Sequence, residues 1–213
     1  MHRLTLEAVN LYGPVFNSAG NALVDFYGSQ NIKLYGITFT GPISYWGIDC
    51  VPNYLNPCRN LEFANCRFLN LTNAYYGAIG LINGVRDVTV DNCTFTNITN
   101  GGHAHMIYAS HNIVGVMVTN CVFQDCLADY VRFRDDSEYC EVQNCTFIST
   151  MSASAYPFLS AELFNETNGD AYGDEFFGTY FQISSNSFNF NASGGPGPCR
   201  AATARLRATW SPS

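Results

Sequence analysis

The chain has 213 residues, 47% of them hydrophobic, which fits one folded domain with a substantial core and excludes a disordered polymer. Its formal charge is −7, and the last twenty residues carry Arg200, Arg205 and Arg207 with no acid, so the body is more acidic still. That balance excludes duplex nucleic acid and anionic membrane as general partners.

No run approaches the roughly 18 apolar residues of a membrane span. The opening "MHRLTLEAVNLYGP" also lacks the apolar stretch of a signal peptide. Nine cysteines and six N-x-S/T sequons, at Asn70, Asn92, Asn97, Asn144, Asn165 and Asn191, nevertheless point to a secreted, extracellular glycoprotein. The expectation is a secreted chain whose start has been lost.

Residues 1–30 read as an earlier coil without a capping helix. From there a repeat governs the chain: "IKLYGITF" (32–39), "LEFANCRF" (61–68), "VTVDNCTF" (88–95), "VMVTNCVF" (116–123), "CEVQNCTF" (140–147) and "FQISSNSF" (181–188). Each ends on Phe, at intervals of 24 to 41 residues, too short for separate domains and too irregular for a helical repeat. Within a segment apolar residues alternate, as with Val88 and Val90 against Thr89, so each is a short strand with one buried face.

Stacking such coils at about 4.8 Å places like residues over like. Four columns follow. Phe68, Phe95, Phe123 and Phe147 stack as rings. Cys66, Cys93, Cys121 and Cys145 form a thiol column, and Phe63, Val90, Val118, Val142 and Ile183 an aliphatic one. Asn65, Asn92, Asn120 and Asn144 form a ladder at the bend, where side-chain amides satisfy turn backbone; a ladder role leaves the sequons at Asn92 and Asn144 without sugar.

These columns resemble the right-handed parallel β-helix proteins of the pectate lyase-like superfamily, over residues 20–193. The resemblance implies an all-β, right-handed parallel β-helix of about six to eight coils, truncated in this chain, with residues 1–193 as the β-helix domain. It does not select among lyases, hydrolases, esterases, epimerases and non-enzymatic modules.

The column cysteines read as small buried hydrophobes. Cys50 and Cys58 flank the Pro/Asn-rich "CVPNYLNPC", where a disulfide would restrain a loop; Cys126 with Cys140 is a second pairing, and Cys199 is left over. No zinc motif is present.

Counting back from the column phenylalanines reveals another strand in each coil: "IGLIN" (79–83), "IYASH" (107–111), "VRFRD" (131–135) and "LSAEL" (159–163). Ile79, Leu81, Ile107, Ala109, Val131, Phe133, Leu159 and Ala161 face inward. Gly80, Ile82, Tyr108, Ser110, Arg132, Arg134, Ser160 and Glu162 face outward, with His111 over Asp135 at one strand end and His105 beside Asp129 at the other.

For β-elimination on a uronic-acid glycan, a site needs cations against the carboxylate, a base for the C5 proton and an acid for the leaving oxygen. Arg132 and Arg134 supply the charge, His105 or His111 the base and Tyr108 the acid; Ser110, Asp129, Asp135 and Glu162 are expected to contact the polysaccharide. His103, in the preceding turn, has the weakest case. Two alternatives stay open. A β-helix hydrolase would use a carboxylate pair drawn from Asp129, Asp135, Asp136 and Glu162. A non-catalytic carbohydrate-binding module would leave the arginines in a cross-coil salt-bridge network.

The loop "NETNGDAYGDEFFG" (165–178) concentrates carboxylates, and Asp170, Asp174 and Glu175 are weak calcium candidates beside a reading as a solvated acidic wall. Calcium is the only cofactor suggested. After the last coil, residues 194–213 turn to Pro, Ala and Arg and read as a low-complexity, disordered tail. The protein is expected to be monomeric unless its uncapped solenoid ends associate.

Overall fold

A computed structural model describes residues 4–7, 15–17, 22–53, 56–72, 74–99, 103–151, 158–161, 176 and 178–190. Within these residues, twenty short strands, all paired in parallel, form three sheets wound as a β-solenoid. The first sheet holds β1 (Leu4–Glu7), β4 (Gln30–Tyr35), β7 (Arg59–Ala64), β10 (Arg86–Asp91), β13 (Val114–Thr119), β16 (Glu138–Gln143) and β19 (Gln182–Ser184). The second holds β2 (Val15–Asn17), β5 (Thr38–Thr40), β8 (Arg67–Leu69), β11 (Thr94–Ile98), β14 (Val122–Cys126), β17 (Thr146–Ser149) and β20 (Ser187–Phe190). The third holds β3 (Ala22–Tyr27), β6 (Trp46–Val51), β9 (Gly77–Ile82), β12 (His105–Ser110), β15 (Val131–Arg134) and β18 (Leu159–Ala161).

The expected columns are present in register. Phe39, Phe68, Phe95, Phe123, Phe147 and Phe188 stack with neighbouring ring centroids 4.7–5.0 Å apart, the strand spacing itself. Phe63, Val90, Val118, Val142 and Ile183 pair across the first sheet. Ile79, Leu81, Ile107, Ala109, Val131 and Phe133 bury the inner face of the third, with Leu159 and Ala161 half-buried at its end.

The bends explain why this composition winds rather than spreading into a flat sheet. Asn65, Asn92, Asn120, Asn144 and Ser185 hold positive φ of 51–57° between first- and second-sheet strands, and Gly36 takes the same place with φ 70°. Asn and Gly tolerate this left-handed region best. Further left-handed columns occur at Asn31, Asn60 and Asp87, at Asn70, Asn97 and Asp125, and at Asn83, His111 and Asp135. Amides bridge coils where they stack: Asn92 donates to Asn65, Asn60 to Asn31 at 2.6 Å and Asn97 to Asn70 at 2.8 Å. Asn120 departs from the expected ladder and donates to Asp91 Oδ1 at 2.7 Å.

The thiol column has a backbone role. The N–H of Cys66 donates to Cys93 Sγ at 3.3 Å and that of Cys93 to Cys121 Sγ at 3.4 Å, so cysteines accept from bend amides that no strand pairs. In the last coil Asn186 Oδ1 takes over, accepting from the Cys145 N–H at 2.8 Å.

The expected disulfide is corrected. Cys50 and Cys58 are separate, buried thiols. Cys50 occupies the inward column of the third sheet between Phe26 and Leu81, while the Cys58 thiol donates to the Phe26 carbonyl at 2.7 Å. Burial pushes both thiols upward, so they stay protonated. Cys126 and Cys140 are likewise free, each pushed up to about 12 by burial. The expected tail at 194–213, Cys199 and the sequons at Asn165 and Asn191 lie outside the described residues.

Candidate functional site

The third sheet turns its outer face away from the core, and register fixes what that face presents. One row runs Asp25, Asp49, Gly80, Tyr108, Arg132, Ser160 across six adjacent strands. The row beside it brings Ser110 against Arg134, and a third brings Trp46, Gly77 and His105 together. Residues more than a hundred positions apart thus share one surface because each coil returns the chain to the same place.

Tyr108 stands at the middle of the face, half-buried. The Arg134 guanidinium donates through Nη1 to its phenol oxygen at 2.8 Å. The His105 ring stacks against it at 5.1 Å between centroids, and Trp46 leans on it at 5.9 Å. Gly80 makes the Trp46 position available: a Cβ there would lie 2.7 Å from the indole, so only glycine lets the ring settle onto the strand.

His105 itself is buried. Its Nδ1 lies 3.1 Å from the Asp129 carbonyl, and as the donor it leaves Nε2 the acceptor of a neutral ring. Burial, with the charge of Arg132 second, holds it down to about 3, so it is neutral at physiological pH and a weak base. Asp129 is fully buried; its carboxylate accepts from Ser160 Oγ at 2.7 Å and pairs with Arg132 Nη1 at 3.5 Å. Facing outward is therefore not the same as lying open to solvent. Ser110, Asp129 and Arg132 are covered, with the arginine compensating a buried carboxylate, whereas Tyr108 and Arg134 are half-buried at the surface.

His111 and Asp135 come together as expected, but in the turn that follows the third sheet. Imidazole Nδ1 lies 2.5 Å from Asp135 Oδ2, and Asp135 Oδ1 accepts the Phe176 N–H at 2.9 Å. Both residues have left-handed backbones, φ 69° and 46°. Asp135 thus orients the histidine, and its carboxylate is largely buried against the ring. With Asn83, Gly84 and Asn112 the pair lines a shallow cleft of about 290 Å³, whose lining includes neither Tyr108 nor Arg134. His111 thus opens on this cleft.

Two groups on the face were not singled out from sequence. Asp25 and Asp49 are direct register partners on adjacent strands, Asp25 exposed and Asp49 half-buried. Burial, then the charge of Asp25, raises Asp49 to about 6. Extending the third-sheet alignment back through "ALVDFY" and "WGIDCV" finds both aspartates. The second group is a tyrosine cluster at the edge of the sheet. Tyr45, Tyr75 and Tyr76 are each 40–47% exposed, with centroids 4.7–6.4 Å apart, and Tyr76 stacks on Trp46 at 5.2 Å. His103 stacks on Tyr75 at 5.6 Å, placing that histidine in the aromatic cluster. The signal here is a Tyr or Trp immediately before successive third-sheet strands, in "SYWGID" and "AYYGAI".

Among the described residues no three His, Cys, Asp or Glu side chains converge as metal donors. Glu162 and the calcium candidates Asp170, Asp174 and Glu175 lie outside the described residues. Compared with family models, curated proteins and solved structures, the chain finds no match in any of the three.

Proposed function

We propose that this chain is a carbohydrate-active β-helix protein that receives a polysaccharide across the outer face of its third sheet and cleaves it by β-elimination at a uronic-acid residue. The observation that carries the reading is the Arg134 to Tyr108 hydrogen bond, 2.8 Å long, on a half-buried face walled by aromatic rings. Aromatic side chains present apolar faces and polar edges, as sugars do. A guanidinium offers a planar fork that matches a carboxylate.

In this reading Arg134 does two jobs. Its guanidinium holds the phenol oxygen in place, and it meets the substrate carboxylate, which eases loss of the C5 proton. Tyr108 as phenolate takes that proton, electrons form the C4–C5 double bond, the C4–O4 bond breaks, and the phenol returns the proton to O4 on the same side of the sugar. No oxidant or other group is consumed. His105 is too weak a base to lead; it positions the Tyr108 ring by stacking on it. Arg132 compensates the buried Asp129 and positions the strand.

Membership of the pectate lyase-like superfamily, right-handed winding, secretion and sugars on sequons other than Asn92 and Asn144 belong to the same proposal. One observation favours hydrolysis as a second reading. Asp25 and Asp49 are direct register partners on adjacent strands, as a carboxylate pair requires, and Asp49, raised to about 6, suits a general acid.

The test is ultraviolet absorbance of the unsaturated product with a panel of uronate glycans, beside a reducing-end assay. Elimination predicts rising absorbance that falls by about a hundredfold or more in Tyr108→Phe, with the fold unchanged. New reducing ends without absorbance would move the chemistry to the aspartates, and neither signal with any glycan would refute the enzyme.

A further inference from the structure

The first sheet carries a bend column remote in register from the third-sheet face. Strand pairing lines up Asn31, Asn60, Asp87, Gly115, Tyr139 and Tyr180, and all six hold left-handed backbones, with φ of 52–74°. Asn, Asp and Gly tolerate that region, whereas a bulky tyrosine adopts it at a cost. Asn31 and Asn60 make the same bend, so winding does not call for rings here. The strain is accepted at Tyr139 and Tyr180, whose rings stack with centroids 4.6 Å apart and planes within 4° while staying 52% and 67% exposed.

The next rung has no side chain. Gly115 leaves open the face of Tyr139 turned away from Tyr180, and beyond it comes Asp87, two strand spacings or about 10 Å from Tyr139. A Cβ on Gly115 would lie 3.4 Å from Asp87 Oδ1, so the carboxylate leans over the glycine. Tyr139 and Asp87 form the walls of a slot one ring wide, with the Gly115 backbone as its floor. These walls complement a pyranose, whose C–H face stacks on an aromatic ring and whose hydroxyls donate to a carboxylate. Charge narrows the choice. Asp87 and Glu138, the residue before Tyr139, repel a uronate, while Arg86, exposed beside Asp87, offsets its pull on a cation.

We propose that this slot is a second, non-catalytic sugar-binding site, holding one neutral pyranose between Tyr139 and Asp87 over Gly115. It lies on a different sheet from Tyr108 and does not depend on elimination there.

The experiment is calorimetric titration of the full chain with neutral oligosaccharides, namely cellohexaose, xylohexaose, mannohexaose and laminarihexaose, at low and high salt. Gly115→Asn fills the slot and Tyr139→Asn strips its wall, each with a residue that the same column already uses at Asn31 and Asn60. The wild type is expected to bind at least one of these sugars, equally at both salts. Each variant should weaken that binding by about tenfold or more, with the melting temperature held within a few degrees. Asp87→Asn, which keeps one acceptor, should weaken it less. Binding of none of the sugars would overturn the proposal, and so would binding that survives both slot variants, which would place the sugar elsewhere. Binding of an arginine-rich peptide in their stead, lost in Asp87→Asn and at high salt, would make the slot a cationic protein contact and overturn it too. None of these sugars carries a uronate, so the absorbance test of elimination stands or falls separately.

Discussion

His105 exchanges water for a stacked phenol, a backbone carbonyl and a neighbouring guanidinium, and each of these has a thermodynamic consequence. Its folded value of about 3 lies below the usual 6.5, so as pH falls the unfolded chain takes up the proton first. The stability it contributes is fully present above pH 6.5 and is lost as pH falls toward 3, each unit of difference being worth up to about 1.4 kcal/mol. Asp49 works in the opposite sense. Raised to about 6, it is protonated in the folded state before the unfolded one, so it favours folding as pH drops from 6 toward 4. Melting curves from pH 7 to 4 should therefore show a weaker acid loss in His105→Gln than in wild type, and a stronger one in Asp49→Asn. At Gly80, an alanine Cβ would press on the Trp46 ring at 2.7 Å, and Gly80→Ala should cost about 1–3 kcal/mol in urea unfolding with a shifted tryptophan emission.

The strands are short, and the bends between them carry the winding. Asn92 holds φ 51° and donates its amide to Asn65. Asn92→Gly keeps the backbone free to turn and loses only the amide bond, about 1 kcal/mol, whereas Asn92→Ala adds about 1–2 kcal/mol for a left-handed alanine. Chemical denaturation of the two variants should rank them wild type, glycine, alanine; equal stability of all three would remove the ladder from the account. This level of organisation was the most legible in the sequence. The "NCTF" segments repeat their bend, thiol and ring at fixed offsets, and counting from the rings placed Tyr108 over Arg132 and Ser110 over Arg134 correctly. Burial of the outer face was not legible. Period-two alternation says which way a side chain points but not what lies over it, so Asp129 and Arg132 read as surface groups though they compensate each other under cover. The Cys50–Cys58 spacing invited a crosslink because sequence shows loop length and not the inward column that claims Cys50.

Across the whole molecule, the parallel stack converts a linear order of coils into a linear order of surface chemistry, from aspartates through aromatics to arginine. Asp25 and Asp49 are hard to see in the sequence because they lie 14 and 19 residues before their column phenylalanines, not the 15 that hold at Gly80, Tyr108 and Arg132, and the tyrosine cluster because it sits before the strands. Both matter to the central claim, that a glycan lies along the outer face of the third sheet. The measurement that tests it most directly is calorimetric titration of a uronate-containing oligosaccharide into wild type and Tyr45→Ala/Tyr75→Ala, two exposed rings of the aromatic cluster. The account predicts binding at least tenfold weaker in the variant, about 1.4 kcal/mol or more for the two stacking contacts, with an unchanged melting temperature. Equal affinity in the two proteins would contradict it and move the glycan off this face.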